Sequence, residues 1–437
     1  MKTRLLSTTT LAFSVSSSFC RIHERASFLS RACPDRQFLL LLRVRYIRTT
    51  THEAAAGPCF LFSHQQRRSF AVVTSTAVAV PAMSHERQSL IDKDAQSEAI
   101  PRAPWAAARS SLRDPSRRLP QAIAHRGAKA YFPENTMAAF RGALGAGSHA
   151  IETDVHLSAD GVAVLSHDPT LKRCFGVDAR IADCSWEYLS TMRTLKEPHE
   201  AMPRLQDFLS WLAQPRFDEI WVVLDIKLDD DPNDLMLAIS KALDSVQGSV
   251  PWDQRIVLGC WNASFLQAAR RHLPTFPLAH ISASLLYSHH FLRVPNLGFN
   301  LNQKSLVGPP GRMFLRELQR TDKLLLTWTV NEPRWMEWCI RQNLGRGRTS
   351  PGAGPALIDG VITDDPRLYL DVCERFEDEM EGKVIRPKMG LAQKAREEVR
   401  AVCSVLFFQV LVMAYHIVRR AQGKFDYLED RKSLDRR

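Results

Sequence analysis

Short hydrophobic runs alternate with amphipathic stretches along the chain from Leu119 onwards. Continuous apolar runs are typical of strands buried on both faces, whereas apolar residues three and four positions apart are typical of helices. The predicted strands are Gln121–His125, Ala150–Leu157 with a hairpin partner at Val162–His167, Glu219–Lys227, Arg255–Trp261, Leu278–Ser282, Gly298–Leu301, Lys323–Val330 and Ile358–Thr363. The predicted helices are Met137–Leu144, Leu205–Leu212, Leu235–Val246, Ser264–Leu273, Met313–Gln319 and Arg334–Arg341. Because strand and helix alternate about eight times, the pattern predicts an α/β fold, a closed parallel (β/α)8 TIM barrel.

The length of the chain fits one such barrel with an extension at each end. A chain of 437 residues, 45% of them hydrophobic, can bury a large core, and a (β/α)8 barrel takes about 250 residues. We therefore assign residues 119–376 to the barrel. Residues 1–118 form an N-terminal extension, predicted to be disordered, and residues 377–437 form a charged linker and a hydrophobic tail.

The N-terminal extension has the composition of a targeting sequence. Residues 1–80 contain eleven Lys and Arg against three acidic residues, with many Ser and Thr. Mitochondrial transit peptides are rich in Arg and Ser and poor in acids, so the composition predicts mitochondrial targeting. An open alternative is that translation starts at Met83. Residues 84–118 are polar, with several Arg, Ser and Pro, and are predicted to be a linker.

The tail contains an uncharged segment, residues 401–418, bounded by Arg400 and by Arg419. Its length is at the short end of what a membrane-spanning helix needs. Basic flanks suit an anionic membrane surface. The segment therefore predicts a membrane anchor that either spans the bilayer or lies in its interface, and a soluble docking helix is the alternative.

Charge and cysteine content limit the partners and the compartment. The net charge is +11, but no basic helix face interleaved with aromatic residues indicates nucleic-acid binding. The nine cysteines show no C-x-x-C spacing, which favours free thiols in a reducing, intracellular compartment. Targeting and attraction to anionic lipid account for the basic ends.

Acidic residues and histidines stand at the ends of the first predicted strands. Glu152 and Asp154 are two positions apart, so both carboxylates project from one strand face. Two like charges this close are unfavourable unless a cation lies between them, and a hard divalent cation prefers such oxygen ligands. His125 and His167 each end an apolar run, where a parallel sheet brings side chains to a common rim.

Four linked motifs resemble the successive signatures of the glycerophosphodiester phosphodiesterase family. They are His125-Arg126-Gly127, Pro133-Glu134-Asn135-Thr136, Glu152-Thr153-Asp154 and Ser166-His167-Asp168. The resemblance implies a barrel of the phospholipase-C-like phosphodiesterase type, a divalent cation, Mg²⁺ or Ca²⁺, and two catalytic histidines, His125 and His167, acting as general acid and base.

Further residues take roles from the same resemblance. Asp225 would complete the metal site with Glu152 and Asp154, although the family more often has Glu there, which puts the metal distance in doubt. Arg126 and Lys227 would bind the substrate phosphate, and the alternative for Lys227 is a rim salt bridge to Asp225. Trp328 would line the substrate site, or else pack in the core. Asp364 is predicted to serve a turn and helix cap.

Within the family, the chain resembles the fungal phosphatidylglycerol-specific phospholipase C branch, whose members also carry a hydrophobic tail. The motifs that carry this resemblance are Lys129–Thr136, Asp225-Ile226-Lys227, Leu326–Asn331 and Ile362–Pro366. That resemblance implies cleavage of phosphatidylglycerol to diacylglycerol and glycerol phosphate through a cyclic phosphate. Two alternatives remain open: hydrolysis of soluble deacylated phospholipids, or a non-catalytic lipid-binding barrel. The expected partners are a phospholipid and a membrane surface, with no nucleic acid, and the expected location is an intracellular membrane of the mitochondrion, lipid droplet or endoplasmic reticulum.

Overall fold

A computed structural model describes residues 99–344, 357–386, 389–422 and 426. The strands in these residues are β1 (Arg109–Ser110), β2 (Arg118–Leu119), β3 (Gln121–His125), β4 (Ala150–Leu157), β5 (Ala163–Leu165), β6 (Trp221–Ile226), β7 (Ile256–Cys260), β8 (Leu278–Ser282), β9 (Gly298–Asn302), β10 (Leu325–Trp328) and β11 (Gly360–Thr363). The helices are α1 (Met137–Gly145), α2 (Lys172–Phe175), α3 (Trp186–Ser190), α4 (Leu205–Leu212), α5 (Pro232–Asp244), α6 (Ala263–His272), α7 (Leu285–His289), α8 (Gln303–Leu306), α9 (Gly308–Leu318), α10 (Pro333–Gln342), α11 (Pro366–Met380) and α12 (Leu391–Ala421).

Eight parallel strands close into a barrel, which confirms the predicted fold class. The strand order is β3-β4-β6-β7-β8-β9-β10-β11, and β11 pairs back onto β3. The short β5 pairs antiparallel with the far end of β4, as the predicted hairpin requires. The strands predicted at Gln121–His125, Ala150–Leu157 and Leu278–Ser282 coincide with β3, β4 and β8. β9 is one residue longer than predicted, and the other five predicted strands are one or two residues shorter at one or both ends.

Alternation along the strands divides the core into two layers. Inward-pointing residues such as Ile123, Val223, Val257 and Leu326 pack together inside the barrel, as a separate cluster from the outer layer. Outward-pointing residues pack against the surrounding helices. Because every barrel strand is buried on both faces, the apolar runs in the sequence are continuous and not alternating.

The end of the predicted linker is an ordered part of the barrel. Residues 99–119 cover the end of the barrel at which the strands begin: Ala106 enters the inner core, and the ring of Trp105 lies 5.5 Å from that of Trp221. Asp359 accepts from the backbone N–H groups of Ala108 and Leu325. The linker prediction is therefore wrong for residues 99–118. A few apolar residues in this polar stretch pack against barrel residues that are distant in the sequence.

The hydrophobic tail is helical, as predicted, and begins ten residues before the uncharged segment. One face of α12, comprising Ala401, Val405, Phe408, Val412 and His416, is buried. The predicted charged linker is also shorter than expected, because α11 continues to Met380. The residues of the targeting prediction, 1–80, and the alternative start at Met83 lie outside the described residues.

Candidate active site

The predicted acidic residues and His125 meet at the C-terminal ends of β3, β4 and β6, which are neighbours in the barrel. His125 is in register with Glu152, and Asp154 is in register with Asp225. In (β/α)8 barrels, active sites are built at this end of the strands. Barrel closure thus brings together side chains that are far apart in the sequence.

Three buried carboxylates form a group that fits a divalent cation. One oxygen each from Glu152, Asp154 and Asp225 lies within 4.8 Å of the others. Burial, with the charges of Asp154 and Asp225, raises the pKa of Glu152 well above its ordinary value. A cation among these oxygens would remove the repulsion, and carboxylates are ligands that Mg²⁺ and Ca²⁺ accept. The shorter Asp225 side chain still reaches the other two.

Each carboxylate in this group is held by a neighbouring donor. The backbone N–H of Arg126 donates to Glu152 Oε2 at 2.9 Å, and Asn135 Nδ2 donates to Asp154 Oδ2 at 2.8 Å. Trp261 Nε1 donates to Asp225 Oδ1 at 2.7 Å. These bonds fix how the oxygens converge, which a metal site needs in addition to its ligands.

The turn after β3 places the Arg126 side chain inside the site. Arg126 has a φ of 58° and Gly127 a φ of 78°, a region that non-glycine residues seldom adopt. A Cβ on residue 127 would lie 2.6 Å from the Ala139 backbone, so glycine is required there. In this conformation Arg126 Nε lies 3.1 Å from Asp154 Oδ2, and Nη1 lies 2.8 Å from Glu134 Oε1.

Lys227 lies between two of the carboxylates. Its Nζ is 2.6 Å from Asp154 Oδ1 and 2.7 Å from Asp225 Oδ2. Burial disfavours the ammonium, but Asp154 and Asp225 outweigh burial and hold the pKa of Lys227 above its ordinary value. The salt bridge to Asp225 anticipated from the sequence is therefore present. Lys227 remains a cation at the site, as phosphate binding would require.

His125 is held by an aspartate from the last barrel strand. Its Nδ1 lies 2.6 Å from Asp364 Oδ1, and Asn331 Nδ2 donates to the other Asp364 oxygen at 2.9 Å. Burial, together with the Lys129 and Arg126 cations, lowers the pKa of His125 to about 4. At neutral pH the ring is uncharged, with Nδ1–H donated to Asp364 and Nε2 able to accept a proton.

His167 has a similar arrangement at the end of the β5 hairpin. Its Nδ1 lies 2.7 Å from Asp168 Oδ1. Burial, with the Arg126 and Lys227 cations, lowers the pKa of His167 to about 3. The structure therefore places two imidazoles, each oriented by a carboxylate, around the acidic group. Such an arrangement is able to transfer protons in both directions.

Trp328 lies further round the barrel from the acidic group. Its Nε1 donates to the Asn300 backbone carbonyl at 3.0 Å, and its ring packs edge-on against Trp261 at 5.7 Å. Because Trp261 also donates to Asp225, Trp328 is one contact away from the acidic group. It is partly exposed at the barrel mouth, where a substrate is able to reach it.

Sequence reasoning missed several residues that organise this site. Asp364 orients His125, in addition to the predicted cap, which its neighbour Asp365 provides by accepting from Leu368 N–H. Asp168 and Trp261 were also not identified as orienting residues. The sequence did show that these residues lie at the ends of predicted strands. It did not show which residue each one would contact.

Comparisons with known proteins agree on one family. The model of the glycerophosphoryl diester phosphodiesterase family matches residues 125–368, more than half of the chain. The chain is similar to YqiK of Bacillus subtilis, with 27% identity over 56% of this chain and 94% of that one. It is also similar to a glycerophosphodiester phosphodiesterase of Caldanaerobacter subterraneus, with 25% identity over 58% and 97%.

A solved structure shows the same fold. A protein of Silicibacter pomeroyi assigned as a glycerophosphoryl diester phosphodiesterase superposes with a TM-score of 0.51 at 20% sequence identity. The superposition covers 62% of this chain and 96% of that one. The rest of the present chain therefore lies outside the part that matches this barrel structure.

Proposed function

The chain belongs to the glycerophosphoryl diester phosphodiesterase family and is a phosphoric diester hydrolase, and from that premise we propose that it cleaves a glycerophospholipid by paired-histidine acid–base catalysis. The observation that carries this proposal is the pair of carboxylate-oriented histidines, His125 and His167, at the same barrel mouth as a buried acidic group. A protein that only bound lipid would not need two such groups.

The proposed reaction proceeds in two steps. His125 accepts the proton of the headgroup glycerol's 2-hydroxyl, whose oxygen attacks phosphorus and forms a cyclic phosphate. His167, which must enter this step protonated at Nε2 beside the bound phosphate anion, gives that proton to the departing diacylglycerol oxygen. Water then opens the ring while the two histidines exchange roles, because each now carries the opposite protonation state. This assignment of first base and first acid follows the family resemblance.

Three kinds of group would lower the barrier for this reaction. Arg126 and Lys227 are buried cations that would bind the phosphate oxygens and stabilise the charge that develops on them in the transition state. A divalent cation held by Glu152, Asp154 and Asp225 supplies Lewis-acid stabilisation when it is bound. Trp328 would contact the glycerol portion of the substrate.

We propose phosphatidylglycerol as the substrate because of the position of α12. Gln409 Nε2 donates to the Lys304 and Val307 carbonyls, and His416 Nδ1 lies 3.1 Å from Ser284 Oγ. These partners follow β9 and β8, so α12 runs along the face of the barrel that carries the acidic group. Its other side exposes large apolar residues, among them Leu406, Val410, Met413 and Ile417.

This geometry favours a helix that lies in the membrane interface. A helix that spanned the bilayer would lose the contacts of its buried face with the barrel. The 18-residue window of highest hydropathy in α12 is only 28% buried, and basic residues flank it on both sides. An exposed apolar face between basic residues is typical of interfacial helices bound to anionic lipid. The barrel mouth would then face the lipid headgroups.

The second candidate function is hydrolysis of soluble deacylated phospholipids. It is favoured by the similar protein of Caldanaerobacter subterraneus, which is named a glycerophosphodiester phosphodiesterase and covers the barrel without the tail. Under this alternative, α12 would set only the location of the enzyme.

One experiment separates the two candidates. The purified chain is incubated with vesicles of mixed phospholipids and, separately, with their soluble deacylated diesters, and the products are identified by mass spectrometry. We expect diacylglycerol and glycerol phosphate from phosphatidylglycerol. Cleavage of the soluble diesters alone would overturn the phospholipase proposal in favour of the second candidate. His125→Ala serves as the control for contaminating lipases.

A further inference from the structure

Arg173 bridges two carboxylates that each contact a residue of the proposed catalytic site. It lies on α2, six residues after His167. Its Nη1 and Nη2 donate to the two oxygens of Glu134 at 2.9 and 2.7 Å, and its Nε donates to Asp168 Oδ2 at 2.6 Å. All three guanidinium nitrogens are therefore engaged.

The two carboxylates lead from Arg173 into the site by different routes. Asp168 uses its other oxygen, Oδ1, to accept from His167 Nδ1 at 2.7 Å. Glu134 Oε1 also accepts from Arg126 Nη1 at 2.8 Å. A continuous chain of charged contacts thus joins Arg126, which would bind the phosphate, to the imidazole of His167.

The backbone of His167 is fixed separately, which leaves its ring orientation as the remaining freedom. His156 Nε2 lies 3.2 Å from the His167 carbonyl, and His156 Nδ1 lies 3.0 Å from Asp230 Oδ2. Asp168 follows His167 directly and could turn its carboxylate away by a side-chain rotation. The bond from Arg173 Nε to the second oxygen of Asp168 opposes that rotation.

The local fold holds Arg173 in place for this task. Leu171 is fully buried in a small cluster with Val164 and Ile181, apart from the main core. The helix ends at Phe175 and is capped by Gly176, whose φ of 78° is left-handed, as is common at helix C-termini. The base of the Arg173 side chain is thereby anchored, although the side chain is 41% exposed.

We propose that Arg173 is a positioning residue that holds the Asp168 carboxylate against His167 and so aims His167 Nε2 at the phosphate bound by Arg126. This inference rests on the proposed role of His167. The planar fork of arginine matches two carboxylates at once, whereas lysine offers a point charge on a flexible stem. Arg173→Lys should therefore keep the charge but lose most of the positioning.

If the contacts of Arg173 only stabilised the fold, a different result would be expected. Exposed ion pairs contribute only about 0–1 kcal/mol to stability, so removing one should change turnover little. Lys172 provides the matched control. It lies on the same helix, is 69% exposed, and pairs with Asp178 at 3.3 Å, away from Glu134 and Asp168.

The test is a double-mutant cycle between Arg173 and His167. The variants Arg173→Gln, Arg173→Lys, Lys172→Gln, His167→Ala and Arg173→Gln/His167→Ala are purified. Turnover is measured on phosphatidylglycerol in detergent micelles, whose alkoxide leaving group needs a proton, with incubation times long enough for slow variants. Thermal unfolding verifies that each variant is folded.

We expect Arg173→Gln to lower kcat by roughly tenfold to a hundredfold with little change in KM, because a misaimed group loses rate without losing binding. Lys172→Gln should match the wild type. In the His167→Ala background, Arg173→Gln should cost almost nothing further, because a residue that acts through His167 cannot act when it is absent.

The outcomes distinguish the positioning role of Arg173 from the catalytic role of His167. If Arg173→Gln lowers turnover equally in both backgrounds, or no more than Lys172→Gln does, the positioning role is overturned while His167 keeps its role. If His167→Ala retains wild-type turnover, the proposed function of His167 fails, whatever Arg173 does. If Arg173→Gln does not fold, Arg173→Lys replaces it in the same cycle.

Discussion

The mouth of the barrel has two unlike halves. The charged half, at the ends of β3, β4 and β6, holds the acidic group, the Arg126 and Lys227 cations that contact it, and the two histidines. The helix-covered half, at the ends of β8 and β9, is covered by α12 and contains few charges. His280 lies there among the rings of Tyr287, Phe291 and Phe299.

This contrast indicates how the molecule divides its tasks. Every group that the proposed chemistry requires lies within the barrel and is positioned by barrel residues. The appended helix contributes none of them but exposes an apolar surface, which we propose binds lipid. Chemistry and access to the substrate should therefore respond independently to mutation, and the following predictions test that separation.

The largest effect should come from removing the cation of the charged half. We expect EDTA to abolish turnover and a divalent cation to restore it, because three buried carboxylates repel one another without it. Glu152→Gln or Asp154→Asn should raise the metal concentration needed for half-maximal activity. Full turnover after chelation, with the metal content verified by elemental analysis, would contradict the metal site.

The next largest effect should come from the histidines. We expect His125→Ala and His167→Ala each to lower turnover at least about a hundredfold on micelles and vesicles alike, since general acid–base catalysis contributes about 10²–10⁴. The surface variant His289→Ala, from the helix-covered half, should leave micellar turnover unchanged. Near-normal turnover in either catalytic-site variant would exclude that residue from the mechanism.

A smaller and conditional effect should come from the exposed face of α12. The triple variant Leu406→Gln, Val410→Gln, Met413→Gln leaves the buried face intact. We expect about a tenfold or greater loss on vesicles and none on micelles, because each fully buried apolar side chain contributes about 1.5–3 kcal/mol to lipid binding. Co-sedimentation with vesicles measures binding directly. Equal loss on both forms of substrate would mean that the helix supports the barrel itself.

The smallest effect should appear in the pH dependence of stability. Burial lowers the pKa of His280 to about 3, so between about pH 3 and 6.5 the unfolded chain takes up a proton that the folded chain does not. This histidine therefore costs stability progressively as the pH falls through that window. The unfolding free energy of the wild type should fall relative to His280→Leu as the pH is lowered from 7 to 4.5. A constant difference would contradict the lowered pKa.

The sequence predicted what depends on short-range pattern and missed what depends on distant partners. Strand periodicity located β8 and placed Glu152 and Asp154 on one face, because both follow from residues close in the chain. The pairing of Asp364 with His125 joins the first and last barrel strands, which are far apart in the sequence and become neighbours only when the barrel closes. Residues 99–118 were misjudged for the same reason, since Trp105 contacts Trp221 across more than a hundred positions.

The tail shows a related limit of sequence reasoning. Its composition predicted an apolar helix, and α12 is one. It did not predict that Gln409 and His416, which weaken a spanning helix, are the residues that attach α12 to the barrel. The role of a polar residue in an apolar segment can be assigned only when its hydrogen-bond partners are known.

The pairing of His125 with Asp364 also has a consequence for biosynthesis. The first barrel strand is made early and the last one late, and contacts between distant parts of a chain are slow to form. A nascent chain that has not yet released β11 from the ribosome has its acidic group but no partner to orient His125. Turnover would then begin only once the first and last strands have joined, which would keep the phosphodiester-cleaving activity silent until synthesis is nearly complete.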